Sequence, residues 1–402
     1  MNSRERIDVA MHLGVPDRVP VMCQLSLGHY FLHSGIDPIE IWHSSEAFGE
    51  ALVALQRRYG LDGILINLPG REPEWQKHAA KIERREDETV ITWRNGWTTV
   101  CPPDDLPHVY GEDGSAFAIG FDEIDPEKLF YVEPYDVSGL KYPYWWGFDE
   151  TASPCGPEFF PAYQHDTLKY VRSRVGGEVS VHAEIFSPFT QLLELLGYTN
   201  GLLALMDDPG RAKACLESLA KGAIALGCGH AQAGADAVLI SSAFAGAGFI
   251  SRAHYSEFVL PYEAKVVTAI KENYPELPIY THTCGAIGDR LDLMEQTGTN
   301  GIDTLDPPPL GNVELADAKR RTAGRMFLKG NVDAVNTLLL GSTDEVMEAA
   351  RERIEVAGPG GGYILSTACS VAPHTPPENI LNLREAAESY GKYELARSSG
   401  MK

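Results

Sequence analysis

Three residues in this chain have the types and spacing of a soft-metal site. His282 and Cys284 stand two apart in Tyr280-Thr281-His282-Thr283-Cys284, and Cys369 follows far downstream in Ser366-Thr367-Ala368-Cys369-Ser370. Along an extended strand, residues i and i+2 point to the same side. An imidazole and a thiolate on one side, with a second thiolate from another strand, are ligands that suit zinc. Three protein ligands leave a fourth position open, as in a catalytic zinc site. Asp306, or Asp303, is a candidate for a removable fourth ligand. A thiol bound to such a zinc gives up its proton near neutral pH and becomes a nucleophile. The bland alternative is that Cys284 and Cys369 fill core and His282 makes a strand-end hydrogen bond. Glu184, near the end of a candidate strand, is read either as a buried acid or base in the same cavity or as half of a structural ion pair.

These residues need a scaffold that gathers several strand ends. Eight short runs, apolar on both parities, are candidate strands: Val19–Cys23, Gly63–Asn67, Val179–Phe186, Ala237–Ser241, Ile279–His282, Gly301–Leu305, Met326–Lys329 and Gly362–Thr367. Helical stretches separate most of them, among them Gln191–Met206, Pro209–Ala233, Arg252–Asn273, Ile287–Gln296 and Thr343–Val356. Such alternation predicts strands buried on both faces, and eight of them predict an α/β fold of the (β/α)8 TIM-barrel type. In such a barrel the site belongs at the strand C-terminal ends. A doubly wound open sheet is the rival. Neither GxGxxG after a first strand nor GxxxxGK[ST] is present, so nothing favours a nucleotide fold.

The 402 residues are read as one domain, with residues 71–165 as an inserted cap after the second strand. That stretch is rich in Pro, Gly, Asp and aromatics. It holds five of the six tryptophans (Trp75, Trp93, Trp97, Trp145 and Trp146), and a Tyr-Pro-Tyr-Trp-Trp run at 142–146. The runs Thr89–Trp93 and Trp97–Val100 flank Arg94-Asn95-Gly96, which predicts a β-hairpin. Whether its aromatics line substrate or pack on the barrel stays open. The tail after Tyr393 is expected to fray.

A formal charge of −22 argues against nucleic acid or an anionic membrane as main partner. There is no apolar run of ~18 residues for a membrane helix. The charged N-terminus has no apolar h-region, so no signal peptide is expected there and the cytoplasm is the expected location. Seven cysteines, scattered and odd in number, argue against a disulfide framework. Cys23, Cys101, Cys155, Cys215 and Cys228 are read as structural, Cys23 least firmly.

Several segments resemble the uroporphyrinogen decarboxylase family. Pro16-Asp17-Arg18-Val19-Pro20-Val21 resembles its first-strand entry and Gly330-Asn331-Val332-Asp333 its seventh strand. Cys369-Ser370-Val371-Ala372-Pro373-His374-Thr375-Pro376-Pro377-Glu378-Asn379-Ile380 resembles its strand-eight loop and following helix. The resemblance covers nearly the whole chain outside 71–165 and implies a (β/α)8 barrel. True decarboxylases of the family carry paired arginines after the first strand, an Asp after the second and a His in the strand-eight loop. Here those places read Met22-Cys23-Gln24-Leu25-Ser26-Leu27-Gly28-His29, Ile66-Asn67-Leu68-Pro69 and Cys369. His282, Cys284 and Cys369 instead match the His-x-Cys…Cys zinc signature of the family's corrinoid branch, which includes methylcobalamin:coenzyme M methyltransferases. That branch implies zinc, and methyl transfer to or from a corrinoid (cobalamin) on a partner protein, because no Asp-x-His-x-x-Gly corrinoid-carrying segment is present. The acceptor or donor would be a thiol or a methylated or methoxylated compound, and a homodimer fits the family. Asp306 and Glu184 are the acid–base candidates. Gln24, His29, Asn67, Phe186 and Asn331 are the candidate substrate contacts. A metal-free lyase and a non-catalytic ligand-binding barrel are the alternatives.

Overall fold

The structure, a computed structural model, describes residues 1–115, 119–134 and 155–393. The run at 142–146 and the tail after Tyr393 lie outside the described residues. Its strands are β1 (Gly63–Ile66), β2 (Ala79–Arg84), β3 (Thr89–Trp93), β4 (Thr98–Cys101), β5 (His108–Tyr110), β6 (Ser180–Phe186), β7 (Ala237–Ser241), β8 (Ile279–His282), β9 (Gly301–Thr304), β10 (Phe327–Val332) and β11 (Tyr363–Thr367).

Seven of them form one parallel sheet in the order β1-β6-β7-β8-β9-β10-β11. Every neighbour pair is parallel, and helices fill most of the connections, as parallel strands require. The expected first strand, Val19–Cys23, is not a regular strand. It survives as a parallel bridge between Val21 and Leu365. The Met22 N–H donates to Leu365 O at 3.0 Å on one side, and Asp62 N–H donates to Val21 O at 2.7 Å on the other. This segment therefore bonds to both edges of the sheet. Pro20, which has no N–H, prevents a longer ladder.

Side-chain parity sorts the two faces. Ile64, Ile66, Val181, Ala183, Ile185, Val238, Ile240, Ile279, Ile302, Leu328 and Leu365 pack into the large core under the helices. The alternate positions, Leu65, Ala237, Leu239, Tyr280, Phe327 and Ile364, form a second apolar cluster with Met22. Helix Ser3–Met11 closes that cluster with Ile7, Ala10 and Met11. Two residues further along the same face come His282, Lys329 and Ser241, with Asp303 in register beside His282 and Lys329 and Glu184 in register beside Leu239. The alternation that builds the apolar floor thus aims the polar groups above it.

Two expected helices are interrupted. Gln191–Met206 divides at Gly197 (φ +75°) into Pro188–Leu196 and Tyr198–Asp207. Arg252–Asn273 carries a wide π-type turn at Tyr255–Val259, just before Pro261 removes a backbone donor. Ile287–Gln296 is shortened to Leu291–Gln296.

Strands β2–β5 form a separate antiparallel sheet between β1 and β6 in the chain. The hairpin at Arg94-Asn95-Gly96 is present. The Trp93 N–H donates to Trp97 O across it at 2.8 Å, and Gly96 takes φ +84°. Trp75, Trp93 and Trp97 are buried together with Ile39, Ile91 and Cys101. Contacts near Asp104 tie this region to the loop after β11 and to helix Leu27–His33. The His374 Nε2 lies 2.7 Å from Asp104 Oδ2, and a Cβ on Gly28 would meet Asp104 O at 2.0 Å.

Candidate metal centre

Strand β8 ends at His282, and its neighbours in register are Ser241 of β7 and Asp303 of β9. Two residues on, Cys284 brings its Sγ within 3.3 Å of His282 Nε2. Cys369, just past β11, places its Sγ 3.6 Å from that of Cys284. The three ligand atoms lie within 4.8 Å of one another, and they are the only such group among the described residues. Zinc–sulfur bonds of ~2.3 Å and zinc–nitrogen bonds of ~2.05 Å at tetrahedral angles put sulfurs about 3.8 Å apart, and nitrogen about 3.6 Å from sulfur. The two spacings made by Cys284 are within a few tenths of an ångström of these values. The donor set and its geometry fit a zinc ion.

The surroundings favour the same arrangement. Asp303 Oδ2 sits 3.5 Å from His282 Nδ1, on the side of the ring away from the thiols. Lys329 Nζ reaches both Asp303 oxygens, at 2.8 and 2.9 Å, and the Thr304 N–H donates to Oδ1 at 2.9 Å. Burial would raise the Asp303 carboxyl, but Lys329 and His282 hold it down at about 2. Burial alone would lower the His282 imidazole. Asp303 and Cys369 outweigh it and raise the ring to about 10. The Cys369 thiol is lowered to about 4 by its hydrogen bonds with Cys284 and His282, against burial. Cys284 moves the opposite way, chiefly through its hydrogen bond to Cys369. Without a cation the two sulfurs accommodate one negative charge between them, and a divalent ion removes that restriction.

Asp306 is buried and accepts the Gly285 N–H through Oδ2 at 2.6 Å. Burial raises its carboxyl to about 6. It stands beside the triad without joining it. Glu184 lies on β6, one strand beyond Ser241, and burial raises it to about 7, with His282 pulling the other way. Its Oε2 has no hydrogen-bond partner among the described residues. The ion-pair alternative for Glu184 therefore finds no partner, since no salt bridge involves it among those residues.

The other candidates divide. Gln24, Asn67 and Asn331 are buried, and each keeps a side-chain oxygen without a partner among the described residues. Phe186 is buried at the end of β6, its N–H donating to Tyr131 Oη at 3.2 Å. His29 is fully buried, with Nε2 at 2.8 Å from Tyr59 Oη and Nδ1 at 3.0 Å from Pro373 O. Burial lowers it to about 4, so it is a neutral ring with both nitrogens occupied by protein. Asn331 donates from Nδ2 to Leu305 O at 2.8 Å and lines a cavity with Leu315, Arg353 and Val356 on neighbouring helices. All seven cysteines are free. Cys23, Cys101 and Cys215 are buried and Cys228 is half-buried, whereas Cys155 is exposed, with Lys128 O as its nearest acceptor at 3.3 Å.

Lys329 was not signalled by the sequence. It reads as the polar end of an apolar run, and its partner lies 26 residues earlier.

A family model described as uroporphyrinogen decarboxylase (URO-D) matches residues 158–390, more than half of the chain and all three triad residues. The chain belongs to this family. Within it, a uroporphyrinogen decarboxylase of Synechocystis sp. is 32% identical over 142 residues, 35% of this chain and 38% of that protein. The methylcobamide:CoM methyltransferase MtbA of Methanosarcina acetivorans is 26% identical over 228 residues, 56% of this chain and 62% of that protein. Less than two thirds of either relative is spanned. A solved methyltransferase from Methanosarcina mazei shares the fold, with a TM-score of 0.68, 18% identity and coverage of 97% of this chain and 99% of that one.

Proposed function

We propose that this URO-D family chain is a zinc-containing methyltransferase on a (β/α)8 barrel, with Val19–Cys23 as the irregular first stave. It moves a methyl group between a corrinoid carried by a partner protein and a substrate heteroatom. The observation that carries this reading is the meeting of His282 Nε2, Cys284 Sγ and Cys369 Sγ within 4.8 Å at the strand ends. Similarity to a methylcobamide:CoM methyltransferase supports the reaction class. The cytoplasm and freedom from nucleic acid belong to the same reading. No helix of the described residues is long and apolar enough to cross a membrane.

When bound, zinc would supply a Lewis acid that binds the substrate heteroatom and lowers its hold on a proton, while the corrinoid would supply or accept the methyl group. The protein's own residues do the rest. Asp303 faces His282 Nδ1, which fixes that nitrogen as the protonated one and leaves Nε2 for the metal. Lys329 keeps Asp303 ionised. Asp306 and Glu184, with carboxyls raised to about 6 and about 7, can take up a proton released from an incoming thiol or return one to a demethylated product. Gln24, Asn67 and Phe186 would bound the substrate. The antiparallel sheet and its neighbours in 71–165 would cap it.

Purified protein should contain about one zinc per chain. Cys284→Ala and Cys369→Ala should each lose the zinc and the activity. Activity is read from the cobalamin visible spectrum, with methylcob(III)alamin and a panel of thiols, then with cob(I)alamin and methoxylated aromatics or methylamines. A spectral change with one class sets the direction. Metal and activity retained in both variants would overturn the reading.

A second reading, decarboxylation, is favoured by the identity to uroporphyrinogen decarboxylases. The stretch from Met22 to His29 holds no arginine for an acidic tetrapyrrole, and Lys329 is committed to Asp303. Turnover of a tetrapyrrole acid by metal-free protein would restore it.

A further inference from the structure

The loop that follows β7, residues 242–251, crosses directly over the backbone of Cys284. A Cβ built on Gly246 would stand 2.4 Å from Cys284 O, a contact with backbone that cannot swing aside. On either side of this contact the loop is stitched to the β8 segment. The Ser242 N–H donates to His282 O, and the Ala247 N–H donates to Ala286 O, both at 2.8 Å.

The loop is in turn held from inside by Arg290. This side chain is fully buried. Its Nη1 donates to Ala245 O at 2.6 Å and to Ile250 O at 3.2 Å, the two flanks of the Gly246 crossing. The guanidinium lies over the Tyr255 ring, 5.7 Å from its centroid, and Asp289 accepts from Nε at 2.9 Å. Arg290 comes from the same stretch of chain that leaves Cys284, six residues on. One planar guanidinium, its Nε and Nη2 forked onto Asp289, therefore uses Nη1 to clamp a loop from the neighbouring strand against the carbonyl of a metal-ligand candidate.

We propose that residues 242–251 form a strap that fixes the position of the Cys284 thiol, with Arg290 as the positioning residue that tightens it. This rests on the zinc reading of His282, Cys284 and Cys369. Gly246 is required because only a residue without Cβ lets the strap lie on the Cys284 backbone. Side chains that set a metal ligand's orientation without touching the metal commonly change affinity 10–100-fold when altered.

The test compares Gly246→Ala with Gly248→Ala, using zinc competition against a chromophoric chelator and the visible spectrum of the cobalt(II)-loaded protein. Gly248 is on the same strap, with nothing within 4 Å of a built Cβ, so its substitution is the internal control. The expected result is zinc binding about 10-fold or more weaker in Gly246→Ala. The cobalt d–d bands should move and lose intensity as tetrahedral geometry is lost, while Gly248→Ala matches the unaltered protein. Arg290→Lys, which keeps the charge and loses the fork, should shift the cobalt bands in the same direction. Equal affinity and equal cobalt spectra in Gly246→Ala and Gly248→Ala would overturn the strap while leaving the zinc reading intact. Unaltered protein that takes up neither zinc nor cobalt would overturn the zinc reading, and the strap with it.

Discussion

Lys329 and Asp303 are 1% and 2% exposed, so neither charge has water to rely on. Their attraction and the Thr304 N–H offset the desolvation of both. Lys329→Met would strand the Asp303 carboxylate and should cost about 3–5 kcal/mol in denaturant unfolding. It should also weaken zinc binding, because an Asp303 that takes up a proton no longer orients His282. Adding Asp303→Leu should restore much of the stability and none of the zinc affinity, which separates the two roles. Residue types and spacing marked His282, Cys284 and Cys369 only as candidate ligands with core filling as the alternative, and it was the match to the family's His-x-Cys…Cys signature that singled them out. Lys329 was exposed by neither. Its meaning depends on the β9–β10 register that sets it beside Asp303, and register is not written in either strand alone. For His29 the sequence suggested a substrate contact, where the fold supplies Tyr59 and Pro373 as its partners.

Helix Leu260–Asn273 shows how an element can carry a titration. Its Glu263 is fully buried beside Ser242 and Tyr255, and burial raises the carboxyl to about 7. A carboxyl whose proton is held more tightly in the folded chain adds stability that is complete below the unfolded value near 4.5. That stability is lost as pH rises through about 7. Unfolding free energies measured at pH 5 and pH 8 should therefore fall further in the unaltered protein than in Glu263→Gln, by up to about 3 kcal/mol. Equal pH dependence in the two proteins would contradict the buried acid. Most strands of the large sheet after the first were legible within a residue because each is a short apolar run between turn residues, but β10 runs on past the expected end at Lys329 to Val332, and β2 and β5 of the smaller sheet were not expected. Val19–Cys23 was legible as extended chain but not as irregular, since only the placement of Pro20 against β11 decides that. The long helix expected over Gln191–Met206 failed at one glycine, whose positive φ periodicity does not report.

The whole molecule separates a closed apolar end from a polar one along a single face of the sheet. Ile7, Ala10 and Met11 of the N-terminal helix seal the closed end against Met22, Leu65, Tyr280 and Phe327. Ile7→Ala should cost about 2–5 kcal/mol in stability through the lost packing and the cavity left behind. Zinc content should stay at one per chain, because the change is confined to the floor. Loss of the metal in this variant would mean that floor and site are one cooperative unit. The sealed floor also governs traffic. Among the described residues the end beneath His282 is filled by apolar side chains, which leaves the polar end as the approach to the triad. On the proposed reaction, the methyl carrier and its counterpart then share one doorway. Transfer needs both seated together, so turnover becomes a matter of order as much as of bond-making: the small substrate enters first and the carrier closes over it.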